Sequence, residues 1–415
     1  MSAAVALTDA GARVVLIEQR RLLGGRAGSF LSPTFSQRML DNSQHVLLGC
    51  CDELQTFYAR LGVSHLIQFQ DELVFADTKL RRGVMKAAWL PAPLHLLPSM
   101  MDFGVIPFGH RIEIMQAMLR MQAIGRDGRN QFADVSFERV LLDMGQSAGV
   151  IAGFWDVICV SALNEPCATA AGHYGLQVFQ EAFLGSRGGY RLGFARVPLS
   201  ILYRQLPGQT LLNTSVKSLI VEDGRVRGVR LAERELRGGR IILAVSPWSA
   251  AGLLTAELLD ADPQLTGLHQ LQYRPIVGAH LQFDRPVLDV PNLALMGTRL
   301  HWAFADTDDP ALIHGVASAA DDLCPLPQQA IADLFVHELR QTCPAARAAT
   351  LRQFVIIKEA RATFRPLPGV DAFRPTQQTL IPGLTLAGDY TQTTWPSTME
   401  GAVRSGRLAA RAALR

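Results

Sequence analysis

Residues 2–18 read SAAVALTDAGARVVLIE, and the order of signals in this stretch decides the fold. The alanine-rich run over 2–10 favours a helix, because alanine loses no side-chain freedom there. Gly11 follows as a left-handed cap. Residues 13–18, RVVLIE, form a continuous apolar run closed by an acid, the pattern of a buried parallel strand. Helix, glycine, strand and terminal acid together make the second half of a strand–helix–strand unit that binds a nucleotide. An acid at that strand end can accept hydrogen bonds from ribose hydroxyls, so Glu18 is a candidate ligand; an ordinary surface acid is the alternative. The turn Gly24-Gly25-Arg26 comes soon after. Two glycines let backbone N–H groups approach a pyrophosphate and Arg26 can neutralise it, while a plain Gly-Gly turn would look the same.

Outward from this unit, residues 53–204 are mainly helical, with apolar spacings of three and four broken by prolines. Residues 211–231 then alternate strongly, and Glu222-Asp223-Gly224-Arg225 reads as the hairpin turn between two strands. RIILAV (240–245) is a further buried strand, and strand-like runs occupy 276–283, 312–318 and 351–358. Near the end, 384–387 is a short strand, followed by Gly388-Asp389, a polar loop and a helix from about 400 to 414. The N-terminus of that helix offers unpaired N–H groups and positive potential. Strands of one sheet thus come from the beginning, middle and end of the chain. This predicts an α/β protein with a discontinuous nucleotide-binding domain over 1–80, 196–255 and 366–415, and an inserted α+β substrate domain over 81–195 and 256–365.

Composition narrows the function. The chain has 415 residues, of which 48% are hydrophobic and 19% charged, with net charge +3; a disordered chain is excluded. Basic residues are dispersed, so no nucleic-acid partner is expected. The six cysteines show no C-x-x-C and no metal-ligand spacing, which implies reduced thiols, a cytoplasmic setting and no metal. The first residues lack a basic start and a cleavage site. No run of about 18 uncharged apolar residues occurs. Residues 84–108 come nearest, but Lys86, Pro91, Pro93, Pro98, Asp102 and Pro107 interrupt them, so they could lie on a bilayer without crossing it.

The pattern E-x-x-x-x-x-GGR from Glu18, with LAGDYTQTTWPSTMEGAVRSGRLAA (386–410), resembles the amine oxidase and phytoene desaturase flavoprotein superfamily. Within it, DNSQHVLLG (41–49), SALNEP (161–166) and KEARATFRP (358–366) resemble the hydroxysqualene dehydroxylases, over nearly the whole chain. The resemblance implies a Rossmann-like domain that binds FAD. It places Glu18 at the adenosine ribose, Gly25 and Arg26 by the pyrophosphate and flavin, and Gln44 and His45 along the ring. Val216, on the middle hairpin strand, would meet adenine through its backbone; Asp389 would hold the ribityl chain and Met399 the flavin pyrimidine. Ser43 stands where glycine is expected. The superfamily also opens with a buried strand and G-x-G-x-x-G, whereas residue 1 here falls inside the helix that follows. The expectation is that this strand and loop are missing, leaving flanking strands with unpaired edges.

The implied reaction removes an allylic hydroxyl from hydroxysqualene and leaves squalene, using hydride from reduced flavin. His45 is the candidate acid, since histidine titrates near working pH; a core histidine bonded to backbone is the alternative. For Lys358, Glu359 and Arg361 a structural salt link is expected. A long-chain isoprenoid must reach the site from a bilayer, and residues 84–108 are either its entrance or part of the core. The implied partners are an inner membrane surface touched peripherally, a flavin reductant and a prenyl synthase. Competing readings are a carotenoid-type desaturase or isomerase, and a flavin-free scaffold in a prenyl-lipid complex.

Overall fold

The N-terminal helix Ser2–Asp9 ends as its glycine signal predicts, with Gly11 at φ +82°, in the computed structural model, which describes residues 1–415. It packs on the C-terminal helix Met399–Leu414: Ser2 Oγ donates to Val403 O at 2.8 Å, and a Cβ on Gly406 would come within 2.8 Å of Ala3 N. The following strand, Val15–Ile17, pairs in parallel with Gln209–Leu211. It is less buried than its apolar run suggests, with Val15 43% exposed, because only one of its edges is paired. A second parallel pair joins Ile241–Leu243 to Leu384–Leu386. The strands from beginning, middle and end therefore form two parallel pairs rather than one sheet, since no strand of the chain hydrogen-bonds to both.

The hairpin turn lies where it was expected. Asp223 (φ 51°) and Gly224 (φ 68°) join Ser218–Glu222 to Arg225–Arg230 through two left-handed residues, the turn whose twist suits a tight hairpin. Val216 is not on that strand. It precedes it, because Asn213 N and Thr214 N are drawn to Arg20 O and Glu18 O at 3.1 and 2.9 Å.

A seven-stranded sheet forms the other half of the molecule, in the order Leu351–Phe364, Tyr273–Phe283, Leu312–Ala317, Trp302–Ala305, Asn292–Met296, Glu72–Asp77 and Arg82–Lys86. Successive side chains on a strand alternate between faces. Val277, Ala279, Leu281, Leu293, Leu295, Ile313 and Ile356 bury one face against the helix Gln328–Thr342 through Ile331, Phe335 and Leu339. Leu73, Phe75, Ile276, Trp302, Phe304, Val316 and Glu359 face the opposite way, into a cavity. The boundary expected at residue 80 falls inside the hairpin made by Glu72–Asp77 and Arg82–Lys86. Its ladder keeps both strands in this sheet, so residues 72–77 go with the inserted region. The strands between residues 67 and 86 interrupt a region read as mainly helical; the helices Asp52–Arg60, Phe108–Gly128, Asp156–Leu163 and Gly172–Phe179 account for much of the rest.

Residues 84–108 divide between core and surface. Leu96, Met100 and Phe103 are buried, while Trp89, at 81% exposure, stands out with Leu94, Met101 and Phe108. No helix is long and apolar enough to cross a membrane.

Candidate active site

The glycine turn is built by necessity. Gly24 has φ +127° and Gly25 φ +60°, and a Cβ on Gly24 would lie 2.4 Å from Ala27 O; no other residue fits. The turn delivers Arg26 into the interior, where one guanidinium nitrogen donates to Ala362 O at 2.8 Å and another forms an ion pair with Asp389. Ser397 Oγ donates to the second Asp389 oxygen. Asn42 Nδ2 donates to Arg26 O at 2.6 Å, which leaves Asn42 Oδ1 buried and unpartnered.

Asp389 sits on a loop held from beneath by Arg374. This buried guanidinium donates to the carbonyls of Asp389 (3.1 Å), Tyr390 (3.4 Å), Thr391 (2.5 Å) and Trp395 (2.8 Å) and pairs with Asp371 at 2.9 Å. Thr398 then caps the C-terminal helix, its Oγ1 accepting from Gly401 N at 3.1 Å. Buried Glu400 accepts from Glu53 N, Leu54 N and Arg404 Nε at 3.2, 2.8 and 2.7 Å, tying this helix to the start of Asp52–Arg60. Nothing in the motifs pointed to Arg374, an arginine in a plain DAFRP stretch; its role rests on carbonyls up to 21 residues away and on the hydroxyl of Tyr174, 200 residues away.

Arg26, Gln44, His45, Asp389 and Met399 all line one cavity of about 440 Å³. Its remaining walls are largely apolar, with Leu73, Phe75, Phe183, Trp302 and Phe304 prominent. Trp302 and Phe304 stack at 5.8 Å with planes 7° apart. Gly24 rather than Gly25 borders this space. Gly25 is turned outward, its carbonyl accepting from Arg20 at 3.2 Å. Glu18 and Val216 lie outside the cavity, beyond the glycine turn. Glu18 accepts from Arg20 N at 2.8 Å, so Arg20 bridges Glu18 to the turn that carries Arg26. Ser43 has no left-handed backbone, so a side chain is accommodated where glycine was expected.

His45 carries an unpartnered, buried Nδ1. Burial lowers its pKa against the opposing pull of Asp41 and of backbone groups at Ser43 and Arg26. The imidazole is therefore neutral near pH 7, poorly suited to delivering a proton.

The salt link expected among Lys358, Glu359 and Arg361 does not form. Lys358 and Glu359 point to opposite faces of their strand, as neighbours must. Lys358 Nζ donates to Leu326 O, and Arg361 lies 5.1 Å over Trp248 and 5.9 Å over Tyr273. The structural ion cluster is elsewhere. Glu165, fully buried in the SALNEP stretch, pairs with Arg274 at 2.6 Å and Arg365 at 2.7 Å, while Asn164 bonds Arg274 O, Thr363 Oγ1 and Ala319 N. These motif residues lock the helical region to the sheet.

A charged pair on a glycine turn, a helix N-terminus and an apolar chamber are gathered from both chain ends, and the family match shows the enzyme to be an FAD-dependent oxidoreductase. The chain belongs to the flavin containing amine oxidoreductase family, whose model matches residues 1–414. It is 23% identical to a 15-cis-phytoene desaturase from Synechococcus elongatus over 454 residues, covering 99% of this chain and 93% of that protein. A hydroxysqualene dehydroxylase from Sinorhizobium fredii is 36% identical over 175 residues, 42% of this chain and 38% of the relative. A triple mutant of a putrescine oxidase shares the fold with a TM-score of 0.74 and 15% identity, covering 99% of this chain and 95% of that one. FAD-dependent chemistry replaces the flavin-free scaffold reading.

Proposed function

We propose that the enzyme removes the allylic hydroxyl of hydroxysqualene reductively to give squalene. The observation that carries this reading is the single cavity that joins the Arg26–Asp389 pair to an apolar chamber walled by Phe75, Phe183, Trp302 and Phe304. The partial relationship to a hydroxysqualene dehydroxylase supports it.

The donor set fits FAD. Asn42 Oδ1 and His45 Nδ1 are buried without partners beside Arg26 and Asp389, and buried polar atoms of this kind call for a ligand. In this reading Arg26, Gln44, His45, Asp389 and Met399 hold the flavin half and Gly25 lies by the pyrophosphate. Glu18 and the backbone at Val216 take the adenosine half. Reduced FAD supplies hydride. Arg26 fixes Asp389, the Met399 end of the C-terminal helix contributes positive potential, and the aromatic wall excludes water from an allylic cation. The long-chain isoprenoid enters from a membrane touched peripherally through Trp89, Leu94, Met101 and Phe108, while a flavin reductant and a prenyl synthase are the expected partners.

A phytoene-type desaturase is the second reading, favoured by 23% identity to such an enzyme across 99% of the chain. Anaerobic incubation with hydroxysqualene and chemically reduced FAD, followed by mass spectrometry, separates the two. Squalene is the expected product; no squalene, with phytoene desaturated by the oxidised enzyme, would establish the second reading.

A further inference from the structure

We propose that Glu359 is the catalytic acid that protonates the departing oxygen of the substrate, an inference that rests on the dehydroxylation reading above. Four carboxylates line the cavity, and three of them are committed. Glu181 is held by Arg126 and Arg129 at 2.5 and 2.9 Å, Asp389 by Arg26 and Ser397, and Glu400 by two backbone N–H groups and Arg404. The fourth, Glu359, is the one whose side chain makes neither an ion pair nor a hydrogen bond. Its neighbours in sequence are spent elsewhere, Lys358 on Leu326 O and Arg361 over Trp248 and Tyr273. Among the other titratable groups of the cavity, burial makes His45 neutral, and the bond to Cys50 together with burial pushes the Cys51 thiol up.

Position agrees with this elimination. Ala362, three residues further along the same strand, accepts from Arg26, so Glu359 stands about 10 Å of strand from the Arg26–Asp389 pair. Ile276, paired opposite Glu359, lines the same cavity. The amide Nε2 of buried Gln177, also on the cavity, has no partner and can donate to a hydroxyl oxygen there.

The reaction balances. The proton of the Glu359 carboxyl passes to the hydroxyl oxygen, and the C–O bond breaks with its electron pair leaving as water. The allylic carbon accepts hydride from reduced flavin, which is oxidised. Glu359 regains its proton from solvent.

The test compares wild type, Glu359→Gln and Glu359→Asp, all carrying FAD. Turnover of hydroxysqualene should fall by about 100-fold or more in Glu359→Gln, with KM little changed, the flavin spectrum and melting temperature retained, and partial recovery in Glu359→Asp. A second readout needs no turnover. A long-chain allylic amine, binding as its ammonium, should quench the fluorescence of Trp302 and Trp395, and its affinity should drop about tenfold in Glu359→Gln. A wild type that makes squalene beside an equally fast Glu359→Gln, or amine binding untouched by the substitution, overturns the assignment alone. A wild type that makes no squalene overturns the dehydroxylation reading, and the assignment with it.

Discussion

Replacing Arg374, which does not itself line the cavity, by alanine should dismantle the Asp389 loop. Arg374 is 1% exposed, and its Nη2 shares two N–H groups among the carbonyls of Asp389, Thr391 and Trp395, at 3.1, 2.5 and 2.8 Å. Each carbonyl left buried without a donor costs about 1–3 kcal/mol. Water entering the space of the lost side chain would satisfy some of them, so the sum falls near the low end, at about 4 kcal/mol. The lost pair with half-exposed Asp371 adds little. In a chain of 415 residues a loss of that size lowers the melting temperature by about 5 °C. Because the same loop presents Asp389 and leads into the helix start at Met399, FAD affinity should fall with it. Arg374→Lys keeps the charge but not the planar fork, and should recover less than half of either loss. Thermal melts followed by near-ultraviolet circular dichroism, with flavin fluorescence reporting release, measure both. An alanine variant that melts within 2 °C of wild type and binds FAD equally well would refute the reasoning.

Two further outcomes follow from charge and exposure. Burial and the nearby Arg299 push His301 down to about 4, and burial with His314 pushes His280 down to about 3. Both folded values lie below the unfolded value near 6.5, so this stability is intact above pH 6.5 and is lost as pH falls from 6.5 towards 4. For His301, where burial dominates the shift, the full effect is roughly 3 kcal/mol; Ser318 N also donates to its Nδ1, a bond that a protonated ring cannot accept. The melting temperature should decline through that window, and His301→Gln should flatten the decline; an unchanged slope in that variant would contradict the assignment. On the surface, Trp89→Ser with Phe108→Ser should weaken cosedimentation with anionic liposomes by about tenfold while flavin stays bound, and unchanged sedimentation would exclude this face. Leu96 is unsuited to such a test, being 2% exposed in the core, where a polar substitution would unfold the region.

The legibility of each feature in the sequence follows the physics of its signal. The glycine turn, Arg26, Asp389 and the C-terminal helix were legible because left-handed backbone and helix ends restrict residue choice locally. The degree of burial of residues 13–18 was not, since an apolar run says nothing about how many edges are paired. Val216 was misplaced because alternation continues smoothly into the hairpin strand, and only the long-range bond from Thr214 N to Glu18 O stops the ladder short of it. Arg374 was invisible for a related reason: a hub is defined by the carbonyls it collects, and carbonyls have no letter in a sequence.

In the KEARATFRP stretch the strand period itself decides which charges can meet. Adjacent charges at 358, 359 and 361 suggest mutual pairing if sequence distance is taken for spatial distance. The same two-residue period that marks 351–358 as a strand forbids it for Lys358 and Glu359, which must leave on opposite faces. Ile356 packs against the helix Gln328–Thr342, and parity then sends Lys358 to that side and Glu359 into the chamber. The strand thus turns a half-buried carboxylate without a side-chain partner towards the chamber, while Arg361 is drawn aside onto Trp248 and Tyr273.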